Sequence, residues 1–169
     1  MGYRDTEKVS ETLKTSERIR SFVMRLWHKK LIPYLPKSQL LSQWKECCGI
    51  ARNIAVKGSP NHILVNRIMD YPLDHFILYS MTVANEMKQR EINVDEDKFL
   101  GWIAATDWIP STIPMESYNE LFEGWHNDIY LRQCLYNLEE KFCAGGIPEP
   151  QWRILYNIFH EFTPLCEHK

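Results

Sequence analysis

Between Ser38 and Val56 the apolar residues return every three or four positions, and no other feature of this chain constrains its fold as strongly. Leu40, Leu41, Trp44, Cys47, Cys48, Ala51 and Ala55 fall within one narrow arc of a helical wheel. Ser38 stands where an N-cap is wanted, and Lys57-Gly58-Ser59-Pro60 closes the run. A helix with such a stripe needs partners, and the rest of the chain supplies helices rather than strands. After a short apolar segment, Ile63 to Met69, the sequence predicts a second long helix from Pro72 to about Glu91. It presents Leu73, Phe76, Ile77, Ser80, Val83, Ala84 and Met87. Residues 93–124 are broken by Pro110 and Pro114, with room for a helix over 95–105. Leu131, Cys134, Leu135, Leu138 and Phe142 mark a third long helix stopped by Gly145-Gly146. Pro148 opens a last one, with Trp152, Leu155, Phe159 and Phe162 inward. The expectation is an all-α fold, a single compact helical domain over 24–169 with a loop-rich middle. Residues 1–23 carry only a thin stripe (Val9, Leu13, Ile19, Phe22) and read as an appended N-terminal arm.

Composition narrows the class. With 169 residues, 44% of them hydrophobic and six of them Trp, the chain has material for one proper core. No apolar run approaches the roughly 20 residues that span a bilayer. The polar N-terminus lacks the apolar stretch of a secretion signal, so no membrane and a cytoplasmic, reducing location are expected. Five cysteines without zinc spacing read as buried thiols, and no metal or other cofactor is expected. The net charge of −2 is unevenly spread: residues 24–75 hold eight Lys/Arg and three Asp/Glu, whereas 76–169 hold seven and fifteen. A basic segment on an acidic body suits a phosphate backbone, although surface charge also drifts along chains without function.

On the first helix an inward Trp44 sets Glu46 almost directly outward, with Lys45, Gly49 and Arg52 on the adjoining arc. A mid-helix glycine costs about 1 kcal/mol relative to alanine. It is useful where a backbone or ligand must come close; otherwise this is a solvated face with an incidental glycine.

The ordered segments MRLWHKKLIPYLP, QLLSQWKECC and NHILVNRIMDYPLDHFILYSMTVANEMKQREINVD resemble the pyrimidine dimer DNA glycosylase family, the endonuclease V type. The likeness is greatest to a bacterial subgroup beginning MRLWH, and HNDIYLRQCLYNLEEK extends it to about residue 142. The resemblance implies a compact helical fold and metal-free chemistry on damaged double-stranded DNA, carried out by a monomer. An N-terminal α-amine attacks the sugar C1′, the base leaves, an imine forms, and β-elimination nicks the strand. An α-amine with an ordinary pKa near 8 is partly neutral and nucleophilic in the cell. By the same resemblance Glu46 is the acid–base and electrostatic partner and Met24 corresponds to the mature N-terminus. Arg25 and Lys45 would meet phosphate, and Arg52, Lys57 and His62 lie in the stretch that would face DNA. Lys45 stands where the family often has arginine, which keeps the charge but loses the bidentate fork. His28 would lie near the amine, or serve only as a cap or packing residue.

The nucleophile raises a question, because within a chain the Met24 nitrogen is an amide. Four resolutions stand: initiation at Met24, removal of residues 1–23, use of Lys29, Lys30 or Lys45 as the amine, or loss of catalysis. The last leaves a silent helical module that binds DNA or a protein.

Overall fold

Five α-helices and three 3-10 turns carry residues 25–109 and 118–162, the parts described by the computed structural model, and no strand occurs among them. The expected arm 1–23, Met24 and the breaks at Pro110 and Pro114 lie outside the described residues. In chain order the helices are α1 (Lys37–Lys57), α2 (Leu73–Gln89), α3 (Glu96–Ala104), α4 (Asp128–Cys143) and α5 (Glu149–Phe159). The 3-10 turns are Lys29–Tyr34, Asn66–Asp70 and Tyr118–Glu120. No helix among the described residues is long and apolar enough to cross a membrane.

Helix α1 packs against both α2 and α3. It starts one residue before Ser38: Pro36 is the N-cap, so Ser38 sits inside the first turn and does not cap it. The proline leads the chain in with a fixed φ and no side-chain hydrogen bond. The far end follows the sequence, with Gly58 in the left-handed region at φ 73° returning its N–H to the Ile54 carbonyl at 2.9 Å. The buried face consists of Leu40, Gln43, Trp44, Cys47, Ile50, Ala51 and Ile54, whereas Leu41, Cys48 and Ala55 are only half-buried. The helix is therefore turned by about half a residue step from the expected stripe. The missing members were Gln43, a polar residue, and two isoleucines on its side.

Asp95 caps α3 by accepting the Lys98 N–H at 3.2 Å, and Phe99 then meets Trp44 and Phe76 at centroid distances of 5.5 and 5.9 Å. Asn127 caps α4. Phe142 stacks on Trp152 of α5 at 5.3 Å, which with Leu155 and Phe159 turns that helix inward as expected; Phe162 is half-buried against the core. Each fully buried large side chain contributes about 1.5–3 kcal/mol.

What turns α1 is an irregular segment, Arg25–His28, that runs through the core. Leu26, Trp27 and His28 are all buried there, so the backbone must find partners inside the protein. Gln43 supplies two: Oε1 accepts the Trp27 N–H at 2.8 Å and Nε2 donates to the Arg25 carbonyl at 3.1 Å. The Tyr79 hydroxyl donates to the Trp27 carbonyl at 2.7 Å and the Tyr130 hydroxyl to the Leu26 carbonyl at 2.5 Å. From the other side, His28 Nε2 donates to the His126 carbonyl at 2.8 Å, and the Lys29 N–H goes to His126 Nδ1 at 3.0 Å. Three helices and the loop before α4 thus hold one strand-like stretch by its main chain.

Removing Gln43 should be costly out of proportion to its polarity. Gln43→Ala leaves a buried N–H and a carbonyl without partners, and the expected loss is about 2–4 kcal/mol in urea unfolding at neutral pH. A change below about 0.5 kcal/mol would mean that the clasp is not held by this side chain.

Candidate active site

The clasp fixes the surroundings of Glu46. This residue is half-buried rather than pointing straight out, a correction that follows from the turn of α1 toward the Arg25–His28 segment. Its Oε2 accepts the Arg25 backbone N–H at 3.2 Å. Burial pushes the Glu46 carboxyl up to about 7, against the downward pull of that hydrogen bond and of the Arg25 and Lys141 charges. A carboxyl so placed holds comparable acid and base populations near neutrality. Met24, bonded to the Arg25 nitrogen, lies outside the described residues.

Arg25 is half-buried, its guanidinium over the Trp27 ring at 5.0 Å. It lines a crevice of about 120 Å³ with Leu64, Tyr130, Gln133, Cys134 and Asn137. Lys45 and Arg52 are exposed elsewhere, on a groove of about 600 Å³ between α1 and α3 that Gly49, Asp95, Lys98 and Trp102 also line. The structure therefore brings Arg25 together with Glu46, and Lys45 with Arg52, but the two basic residues flanking Glu46 in the expectation line different hollows. Lys57 is exposed at the end of α1, and His62 sits in the following loop with Nδ1 accepting the Leu64 N–H at 3.4 Å. Neither lines these hollows.

Several residues that could rival the site are occupied otherwise. His28 is fully buried; Nδ1 accepts the Lys30 N–H at 3.2 Å, capping the 3-10 turn, and burial lowers its pKa to about 4. Lys29 is buried with Nζ donating to the Asn119 and Leu121 carbonyls at 2.5 and 2.7 Å, which anchors the amine inside the protein away from a substrate. Lys30 is exposed 3.8 Å from Asp128, and Lys45 is open to solvent. The described cysteines are free thiols. Burial pushes Cys47 up to about 12 and Cys134 up to about 11, so neither is a thiolate nucleophile. Among the described residues no group of His, Cys, Asp and Glu could hold a metal ion.

Gln43, Tyr79, His126, Tyr130 and Lys141 also shape the site, though the sequence singles out none of them for it. Only Tyr79 had a usable signal, one residue from the stripe position Ser80 on a helix already identified. Residues 24–100 match the family model described as pyrimidine dimer DNA glycosylase. No curated protein and no solved structure matches the chain.

Proposed function

Because residues 24–100 match the pyrimidine dimer DNA glycosylase family, we propose that this protein releases damaged bases from duplex DNA and nicks the abasic strand through an imine. The observation that carries the reading is the Glu46 carboxyl, raised to about 7 and hydrogen-bonded to the nitrogen next in chain to Met24. Covalent geometry keeps an α-nitrogen on residue 24 within about one residue length, ~3.8 Å, of that point. As a free amine it attacks C1′ while the glycosidic bond breaks and the base departs with the electron pair. Loss of the amine proton and opening of the sugar ring give the imine. Removal of a C2′ proton then expels the 3′ phosphate. Glu46 serves each stage: as carboxylate it balances positive charge at the sugar and takes a proton, and as carboxylic acid it returns one.

The mechanism needs an unblocked Met24 nitrogen, by initiation there or by removal of residues 1–23. A chain starting at Met24 should give at least about tenfold more borohydride-trapped adduct with abasic duplex DNA than the 169-residue chain. Equal trapping, with the adduct mapped to Lys30 or Lys45, would move the nucleophile to a lysine. No adduct from either chain would leave a silent binding module.

The groove on α1 and α3 gives the DNA a second hold. Lys45, Arg52 and Lys98 all line it, and none has an ion pair among the described residues. Each phosphate neutralised there releases condensed counterion. Arg52→Glu and Lys98→Glu should each weaken duplex binding alike for all sequences and flatten the log–log salt slope by about one. An unchanged slope would remove the groove from the interface.

A further inference from the structure

The loop between α1 and the second 3-10 turn spends apolar surface in an unexpected way. Ile63 is 83% exposed and Leu64 48%, while their neighbours Val65 and Ile68 are buried. The exposed pair is held firmly. Asn53 Nδ2 donates to the Pro60 carbonyl at 2.9 Å, the His62 N–H goes to Asn66 Oδ1 at 3.0 Å, and Val65 and Asn66 return their N–H groups to the His62 carbonyl at 3.0 and 2.9 Å. Asn61 takes a left-handed φ of 60° to make the turn. Two aliphatic side chains are thus presented to solvent on a braced tip.

Their surroundings state what the tip would meet. From residue 47 to 69 the chain has no Asp or Glu, and it carries Arg52, Lys57 and Arg67. Arg67 is fixed with its guanidinium 5.5 Å from the centre of the Trp125 ring. Leu64 also lines the crevice beside Arg25, whose N–H is held by Glu46. An apolar tip on a stretch of chain without carboxylates, sharing the Arg25 crevice beside Glu46, fits a target charged on its outside and apolar within, the stacked bases of a duplex.

We propose that Ile63 and Leu64 form a wedge that enters the base stack beside the lesion, fills the space of the displaced nucleotide and holds it toward Glu46. The proposal rests on the duplex-DNA reading above. Apolar side chains inserted between base steps unstack and kink DNA, and cations beside them hold the flanking phosphates. Because the tip is solvent-exposed, changing it should leave the fold intact.

The test uses the full chain and a duplex with a cyclobutane pyrimidine dimer flanked by 2-aminopurine, whose emission rises when it leaves the stack. The wild type should brighten the probe. The double variant Ile63→Ser, Leu64→Ser should bind the duplex with the same salt slope yet lose the brightening, and Ile63→Met should retain it. In chains that begin at Met24, variant and wild type should release base equally from the same lesion in single-stranded DNA, whereas in duplex the double variant falls about tenfold or more. Equal brightening by the double variant, or salt-sensitive binding with no brightening by any chain, would overturn the wedge and leave the DNA reading standing. No duplex binding by any chain would overturn both. Attachment to anionic lipid vesicles that depends on Ile63, with a silent probe, would assign the tip to a membrane surface instead.

Discussion

Glu46→Gln should lower base release by at least about a hundredfold, leave duplex binding in place and make the protein more stable above pH 7. The amide can neither move a proton nor balance charge at the sugar, whereas its oxygen can still accept the Arg25 N–H. The stability gain follows from proton linkage. The carboxyl lies at about 7 in the fold against an ordinary 4.5. Between those values the folded state holds a proton that the unfolded state has released, so stability falls as pH rises through this window. Above it the full penalty applies, roughly 2–3 kcal/mol for a half-buried group, and Gln does not carry it. Thermal melts at pH 8 should therefore place the variant several degrees above the wild type. A variant that is both inactive and less stable at pH 8 would mean that Glu46 is a structural anchor.

Acid should unfold the domain through two histidines. His28 and His126 stack at 5.1 Å, and both use Nδ1 as an acceptor, for the Lys30 and Lys29 N–H groups. Each is therefore neutral with its proton on Nε2, and His126 Nε2 has no hydrogen-bond partner. Burial lowers both, His28 to about 4 and His126 further, with the neighbouring His28 adding to the effect on His126. Below the ordinary 6.5 the unfolded chain takes up protons that the folded one refuses, so stability falls with falling pH. Each group contributes about 1.4 kcal/mol per pH unit. Between pH 5 and 6 Glu46 releases about one proton on unfolding, while His28 and His126 gain about two and His75, also lowered by burial, adds to them. Glu46→Gln removes the release, so its uptake should exceed that of the wild type by about one proton and the slope of unfolding free energy against pH should steepen by about 1.4 kcal/mol per unit. Parallel slopes for the two proteins would show that Glu46 is not protonated in the fold over this range.

The helices were legible because each is built from local repetition. α2, α4 and α5 present the stripes expected of them, and Gly58 ends α1 where the sequence places its stop. The N-cap of α1 was misread because Pro36, which sets the helix start by its ring geometry, offers no capping atom to recognise. The site was legible only in part. Glu46 and Arg25 come from residues that a resemblance can mark, and the hydrogen bond between them places them together. Much of what surrounds the Glu46 region comes from afar. His126 and Tyr130 reach the Arg25–His28 segment across about a hundred positions. Gln43 looks like a surface residue until that segment covers it. Apolar periodicity cannot register a polar core, since its members are selected by partners rather than by spacing.

Tyr130 and Lys141 lie beyond residue 100, where the family match ends, yet both act on the ground around Glu46. The carboxyl's affinity for its proton is thus a property of assembly, owned by no single stretch of chain. Residues 24–100 made alone would carry the glutamate and lose the walls that keep water from it, and its proton would leave at ordinary carboxylate pH. Adding the remainder as a separate peptide should bring that proton back, so the titration of one carboxyl becomes a gauge of whether the two parts have found each other.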